Sequence, residues 1–277
     1  MRISIRNLGL GIGAVLTLLV AYLSVTAIND RLNDKTLAKR GLEITTALEI
    51  GYRALMPLSL ERSVTQVGLT LETPLPAQFA SLRMEQRRVS EQHLNALMAH
   101  LEQTSELPNR QETLNALRAA RANLATLRAR ADAAVSSPRQ NRASNVETLP
   151  QEIIAAIRDM QSALGNLIDT AAMRTAKSEH AVLAAYRIWR LREYEGQSRT
   201  YIAAALLNQQ AMTPAAMKAS SELTGKAEAS FEALKSMQRL LPAALLPSLQ
   251  AIDSAYDKNY GALRSLALSG AATGNYP

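Results

Sequence analysis

Ile153, Ile157, Met160, Leu164, Leu167 and Ala171 recur at steps of 4, 3, 4, 3 and 4 residues. That is the period of a helix that buries one stripe against other helices. Val182, Tyr186 and Trp189 resume the stripe downstream, and no segment alternates apolar and polar residues with strand period. Only 4% of the residues are aromatic while Ala and Leu abound, which suits helices packed closely through small side chains. The chain is therefore expected to be all-α.

Proline and glycine divide it. "TPLPA" (73–77), Pro108, "SSPRQN" (136–141), Pro150, the Thr213-Pro214 pair and Pro242 mark helix ends or starts. Two stretches also match at an offset of 134 residues. "ALEIGYRALMPLSLERSVT" (47–65) places Ala47 on Ala181, Tyr52 on Tyr186, Arg53 on Arg187 and Glu61 on Glu195, and Pro108 falls on Pro242. The pattern reads as two copies of a long helix, a tip turn and two short helices, with long helices over 30–72 and 150–207. Pro57, without a counterpart, is expected to kink its helix. Short connections favour antiparallel packing. Each pair of short helices is expected to return in series, so that the six helices build two stacked four-helix bundles, joined at the level of Pro108 and Pro242.

The N-terminus sets the compartment. Residues 8–28, "LGLGIGAVLTLLVAYLSVTAI", carry no charge and are long enough to span a bilayer as a helix. Arg2 and Arg6 precede them, so the positive-inside rule leaves the N-terminus in the cytoplasm and exports the rest. A cleaved signal peptide is the competing reading, but the apolar stretch exceeds a usual signal core. The expected organisation is a cytoplasmic N-terminus and transmembrane anchor (1–29), a helical exported region (30–268) and a small-residue tail (269–277). That places the bulk in the periplasm, held at the bacterial inner membrane.

The stripe turns polar at equal height in both long helices. "AVLAAYRIWRLREYEGQSR" (181–199) surrounds the only tryptophan with Arg190, Arg192, Glu193, Glu195 and Arg199, and the first helix carries Arg62 and Thr65 in its stripe. A charge inside a small bundle is costly unless paired or shared with a ligand. One reading is structural: Arg192, Glu195 and Arg199 pair along one helix face and the long Arg stems reach solvent. The other is an anion site, with Arg62, Arg192 and Arg199 converging between the long helices. Tyr52, Tyr186 and Trp189 then wall it and Gly196 leaves space, since guanidinium forks match carboxylate or nitrate bidentately.

With an apolar anchor, a helical exported module and an "LER" segment mirrored by "LREYEGQSR", the chain resembles the ligand-binding regions of bacterial methyl-accepting chemotaxis receptors and related sensor kinases. More narrowly, it is similar to their helical bimodular and nitrate/nitrite-sensing-like types. The resemblance covers essentially the whole chain. It implies two stacked four-helix bundles, small carboxylates or nitrate as ligands, a working homodimer and a second membrane segment beyond Pro277. Ser63 departs from it, standing where a Glu-Arg-Gly run is more typical.

Other classes lack their signatures. His93 and His100 are seven apart and His180 stands alone, so no pair offers the i, i+4 spacing of a helical metal site, and no cofactor or metal is expected. No nucleophile elbow or phosphate-cradling glycine loop is present, and the chain is not expected to be an enzyme. The net charge of +7 is scattered along helices without interleaved aromatics, which argues against nucleic acid. The sequence thus points to an extracytoplasmic sensor region for a small anion. A membrane-anchored helical scaffold acting through protein partners is the alternative.

Overall fold

The computed structural model describes residues 35–104, 107, 109–146, 148–168, 176–241, 243–254, 256 and 261–274. The apolar stretch 8–28, Pro108 and Pro242 lie outside these residues. Every regular element among the described residues is helical: α1 (Lys35–Thr70), α2 (Ala77–Gln103), α3 (Arg110–Val135), α4 (Leu149–Ile168), α5 (Ala176–Asn208), α6 (Pro214–Ser236), α7 (Leu246–Ser254) and α8 (Gly261–Thr273), with four short 3-10 turns. The chain is all-α, as expected, but with eight described α-helices where six were read. The segment expected as one helix over 150–207 is described as α4 and α5. The helix α8 runs through Thr273, into the stretch read as a tail, and ends at Gly274, whose φ of 72° is left-handed.

Packing divides the chain into two units: Ile50–Thr170, and residues 1–49 together with 171–277. The first unit holds the rest of α1 with α2, α3 and α4. Here α3 packs along α4 and against α2. The sequence stripe on α4 is the stripe that is buried: Ile153, Ile157, Met160, Leu164 and Leu167 are all in the core. Gly51 of α1 sits against it so closely that a Cβ would lie 2.6 Å from Leu164 Cδ1. Pro57 lies inside α1 and is buried.

The short helices α2 and α3 do not follow one another in series. Leu75 N–H, just before α2, donates to Val135 O at the end of α3 (2.8 Å), and Arg83 and Arg87 reach Asp132 while Arg118 reaches Glu102. The two are antiparallel neighbours, and the series arrangement read from the sequence is corrected accordingly. The physical reason is the short connection after Gln103. It lets α3 fold straight back and pair the Arg side chains of one helix with the carboxylates of the other. Asn109 takes the left-handed φ of 56° that this turn requires.

In the second unit, α5 packs along α6 and against α8. Thr213 caps α6 by accepting from Ala216 N–H (3.2 Å), with Pro214 at its first position. The hairpin closes as its counterpart does: Met212 N–H donates to Ala271 O (2.8 Å), where the first unit has Leu75 and Val135. Small apolar clusters sit at both closures. Val64, Leu71, Leu75 and Val135 form one; Ile202, Ala205, Met212 and Ala271 form the other.

Candidate functional site

The two units carry one register of buried positions. Between α1 and α5 the offset is 134, and Ala54 and Ile188, Glu61 and Glu195, and Leu71 and Ala205 are all buried. Between α2 and α6 the offset is 137, set by the aligned helix starts at Ala77 and Pro214. It pairs buried Arg83 with Ser220, Ser90 with Ala227, Leu94 with Phe231 and Leu97 with Leu234. Between α3 and α8 an offset of 136 pairs Val135 with Ala271 and Arg128 with Arg264. Equivalent heights in the two units can therefore be compared residue by residue.

In the first unit this height is a network of paired charges. Buried Glu61 accepts from Arg87 Nε (2.8 Å) and from Arg128 Nε (2.9 Å) and Nη2 (2.5 Å). Arg128 also donates through Nη1 to Glu91 and through Nη2 to Ser90 Oγ (3.1 Å). Asp132 accepts from Arg83 (2.6 Å) and from both terminal nitrogens of Arg87 (2.8 and 2.7 Å). Burial pushes the Asp132 carboxyl up, but the hydrogen bonds and charges of Arg87 and Arg83 more than offset this and hold it below the usual carboxylate range. Arg121 also donates to Glu91 (2.8 Å), so four guanidinium groups and three carboxylates pair across α1, α2 and α3. Buried charges persist only under such pairing.

At the same height the second unit is built from hydroxyls. Ser198 of α5 and Ser220 and Thr224 of α6 are buried, with Ser198 Oγ 2.9 Å from Ser220 Oγ and 3.2 Å from Thr224 Oγ1. Arg264 of α8 donates through Nη2 to Thr224 Oγ1. Glu228, largely exposed, lies 3.9 Å from Arg264 Nη1. Its Nε is buried without a hydrogen-bond partner among the described residues. Glu195, the counterpart of Glu61, accepts instead from the Tyr256 hydroxyl (2.7 Å). Burial first, then that hydrogen bond, pushes the Tyr256 phenol above its ordinary pKa, so it stays a donor. Tyr256 also packs on Phe231, ring centroids 4.8 Å apart.

The residues singled out from sequence are distributed over both units. Arg62 is wholly buried in the first, donating to Gln66 Oε1 (3.4 Å), and Tyr52 is buried there too. Tyr186, Trp189, Arg192, Gly196 and Arg199 belong to α5 in the second, spaced 3, 3, 4 and 3 along one face. Trp189 is buried, and its Nε1 has no hydrogen-bond partner among the described residues. The Arg190 guanidinium lies 5.7 Å from the Tyr186 ring centre and 4.5 Å from that of Tyr194. Arg199 Nε donates to the backbone oxygen of Glu195 (3.3 Å), while the Glu195 carboxylate is the one held by Tyr256. Neither unit by itself holds Arg62 together with Arg192 and Arg199.

Arg264, Tyr256, Ser198, Ser220 and Thr224 were not singled out from sequence. The signal that finds them is the duplication followed past the long helix, with the offset moving from 134 to 137 and 136. Among the described residues no group of three His, Asp or Glu side chains is placed to hold a metal ion, and no helix is long and apolar enough to cross a membrane. No family model, curated protein or solved structure matches the chain.

Proposed function

We propose that this chain is the extracytoplasmic sensor region of a transmembrane signalling protein of the chemoreceptor or sensor-kinase class, and that it binds a small anion such as a carboxylate or nitrate. Residues 8–28 anchor it in the bacterial inner membrane, the bulk lies in the periplasm, each unit works as a four-helix bundle, and the functional form is a homodimer. No catalytic step is assigned to it, and no nucleic acid or cofactor. The observation that carries this reading is Arg264: a half-buried guanidinium on a bed of buried hydroxyls, with Nε hydrogen-bonded to no described group. Guanidinium in that setting favours an anion that completes its bonding. The carboxylate-paired network of the first unit favours the alternative, a rigid scaffold with protein partners.

Thermal melts of the full chain against acetate, succinate, nitrate and chloride separate the two. A ligand at 100 times its Kd adds about 2.7 kcal/mol. A saturable rise in Tm for at least one of the first three supports sensing, and none in any supports the scaffold. Sedimentation of the same samples tests the dimer.

A further inference from the structure

The same height in the two units is finished in two different ways. In the first, Arg128 is closed by the chain's own carboxylates: Glu61 on Nε and Nη2, Glu91 on Nη1. In the second, Arg264 stands in the same register on the equivalent helix, yet Glu195 is drawn to Tyr256 and Glu228 stays 3.9 Å away at the rim. The counterparts of Arg83, Arg87 and Asp132 are Ser220, Thr224 and Leu268, and that of Val64 is Ser198. Two arginines have given way to short hydroxyls that donate or accept without a charge of their own, and the carboxylate of Asp132 to an apolar side chain.

We infer that Arg264 anchors a carboxylate site in the second unit, where a small carboxylate from outside takes the place that Glu61 fills on Arg128 in the first. The class of ligand follows from the copy, because the group seated on the equivalent guanidinium is a carboxylate held on Nε and Nη2. Arg264 Nε supplies one hydrogen bond, and the Ser198, Ser220 and Thr224 hydroxyls are positioned to turn toward the second carboxylate oxygen. One carboxylate of the chain stands beside the same guanidinium. Glu228 does so from a side chain 60% exposed, able to swing into solvent, while Glu195 accepts from Tyr256. The first unit is then the self-liganded copy, a strut that binds nothing there.

This inference rests on the sensing reading and is tested by titrating acetate calorimetrically into the full chain and four variants. Arg264→Gln is expected to weaken binding roughly 10- to 100-fold, the worth of a hydrogen bond to a charged group. Arg264→Lys is expected to keep the fold and the charge but lose the fork, with an intermediate loss. Glu228→Gln, which removes one competitor, tightens binding. Tyr256→Phe, which removes one hydrogen bond from Glu195 and lets its carboxylate turn toward Arg264, weakens it. Acetate binding left unchanged by Arg264→Gln overturns the site while the sensing reading stands. If Arg264→Gln and Arg264→Lys both lower the Tm of the ligand-free protein by as much as Arg128→Gln does, Arg264 is a structural pair and the inference falls on that measurement alone. Wild type that takes up none of acetate, succinate or nitrate defeats both readings together.

Discussion

Replacing Glu61 by Gln tests the first unit's network with least change of shape. The side chain is buried and accepts three guanidinium N–H groups, from Arg87 Nε and from Arg128 Nε and Nη2. Removing one partner of a buried ion pair costs about 3–5 kcal/mol when the other charge is left alone. Neither arginine is left alone here, since Arg87 keeps Asp132 and Arg128 keeps Glu91 and Ser90. The lower end, about 3 kcal/mol, is therefore expected. That is a large fraction of the 5–15 kcal/mol by which domains are typically stable. Urea unfolding followed by far-ultraviolet circular dichroism measures it, urea being chosen because a guanidinium salt would screen the network. Because Glu61 and Arg128 share one interaction, the double variant with Arg128→Gln should fall short of additivity by about 1–3 kcal/mol. A cost for Glu61→Gln below about 0.5 kcal/mol, or full additivity, would refute the network as a stabilising element.

Acid should weaken the first unit in two steps. The His93 imidazole is pushed down by burial and then by the charge of Arg53, so protonation costs stability as pH falls below the unfolded value of about 6.5. The Asp132 carboxylate, held low, contributes stability above the unfolded value of about 3.9, and that contribution is lost as pH falls through its still lower folded pKa. Melts across pH 2–8 should show His93→Gln flattening the upper step and Asp132→Asn the lower one. Glycines separate by what surrounds them. Gly165 and Gly225 lie within helices with no atom of the described residues within 4 Å of an added Cβ, so each change to Ala should stabilise by about 0.5–1 kcal/mol. Gly51→Leu, which drives more atoms into Leu164, should instead destabilise by about 1–3 kcal/mol.

How much of this was legible in the sequence differs from element to element. The stripe from Ile153 to Leu167 gave a buried face directly, because helical period and burial are one signal. The match of Glu61 with Glu195 located the polar height in both long helices, and both side chains are indeed buried. The direction of α2 against α3 was not legible. A proline break reads the same whether the next helix continues onward or turns back, and only the pairs such as Arg87 with Asp132 decide it. Arg264 was hidden for a related reason. It is the only charged residue in "GALRSLALSG", where no second charge marks a site, and its bond to Thr224 spans 40 positions. Its equivalence to Arg128 emerges only when the hairpin closures at Val135 and Ala271 are laid side by side.

The most direct measurement of the central claim is diffraction from crystals of the full chain grown with acetate as the only added carboxylate. Planar density is expected beside Arg264, one oxygen about 2.7–2.9 Å from a guanidinium nitrogen and the other facing the Thr224 and Ser220 hydroxyls. Glu195 should remain on Tyr256, and Arg128 should still be closed by Glu61. Acetate found elsewhere or nowhere, with Glu195 or Glu228 seated on Arg264 through both oxygens, would contradict it.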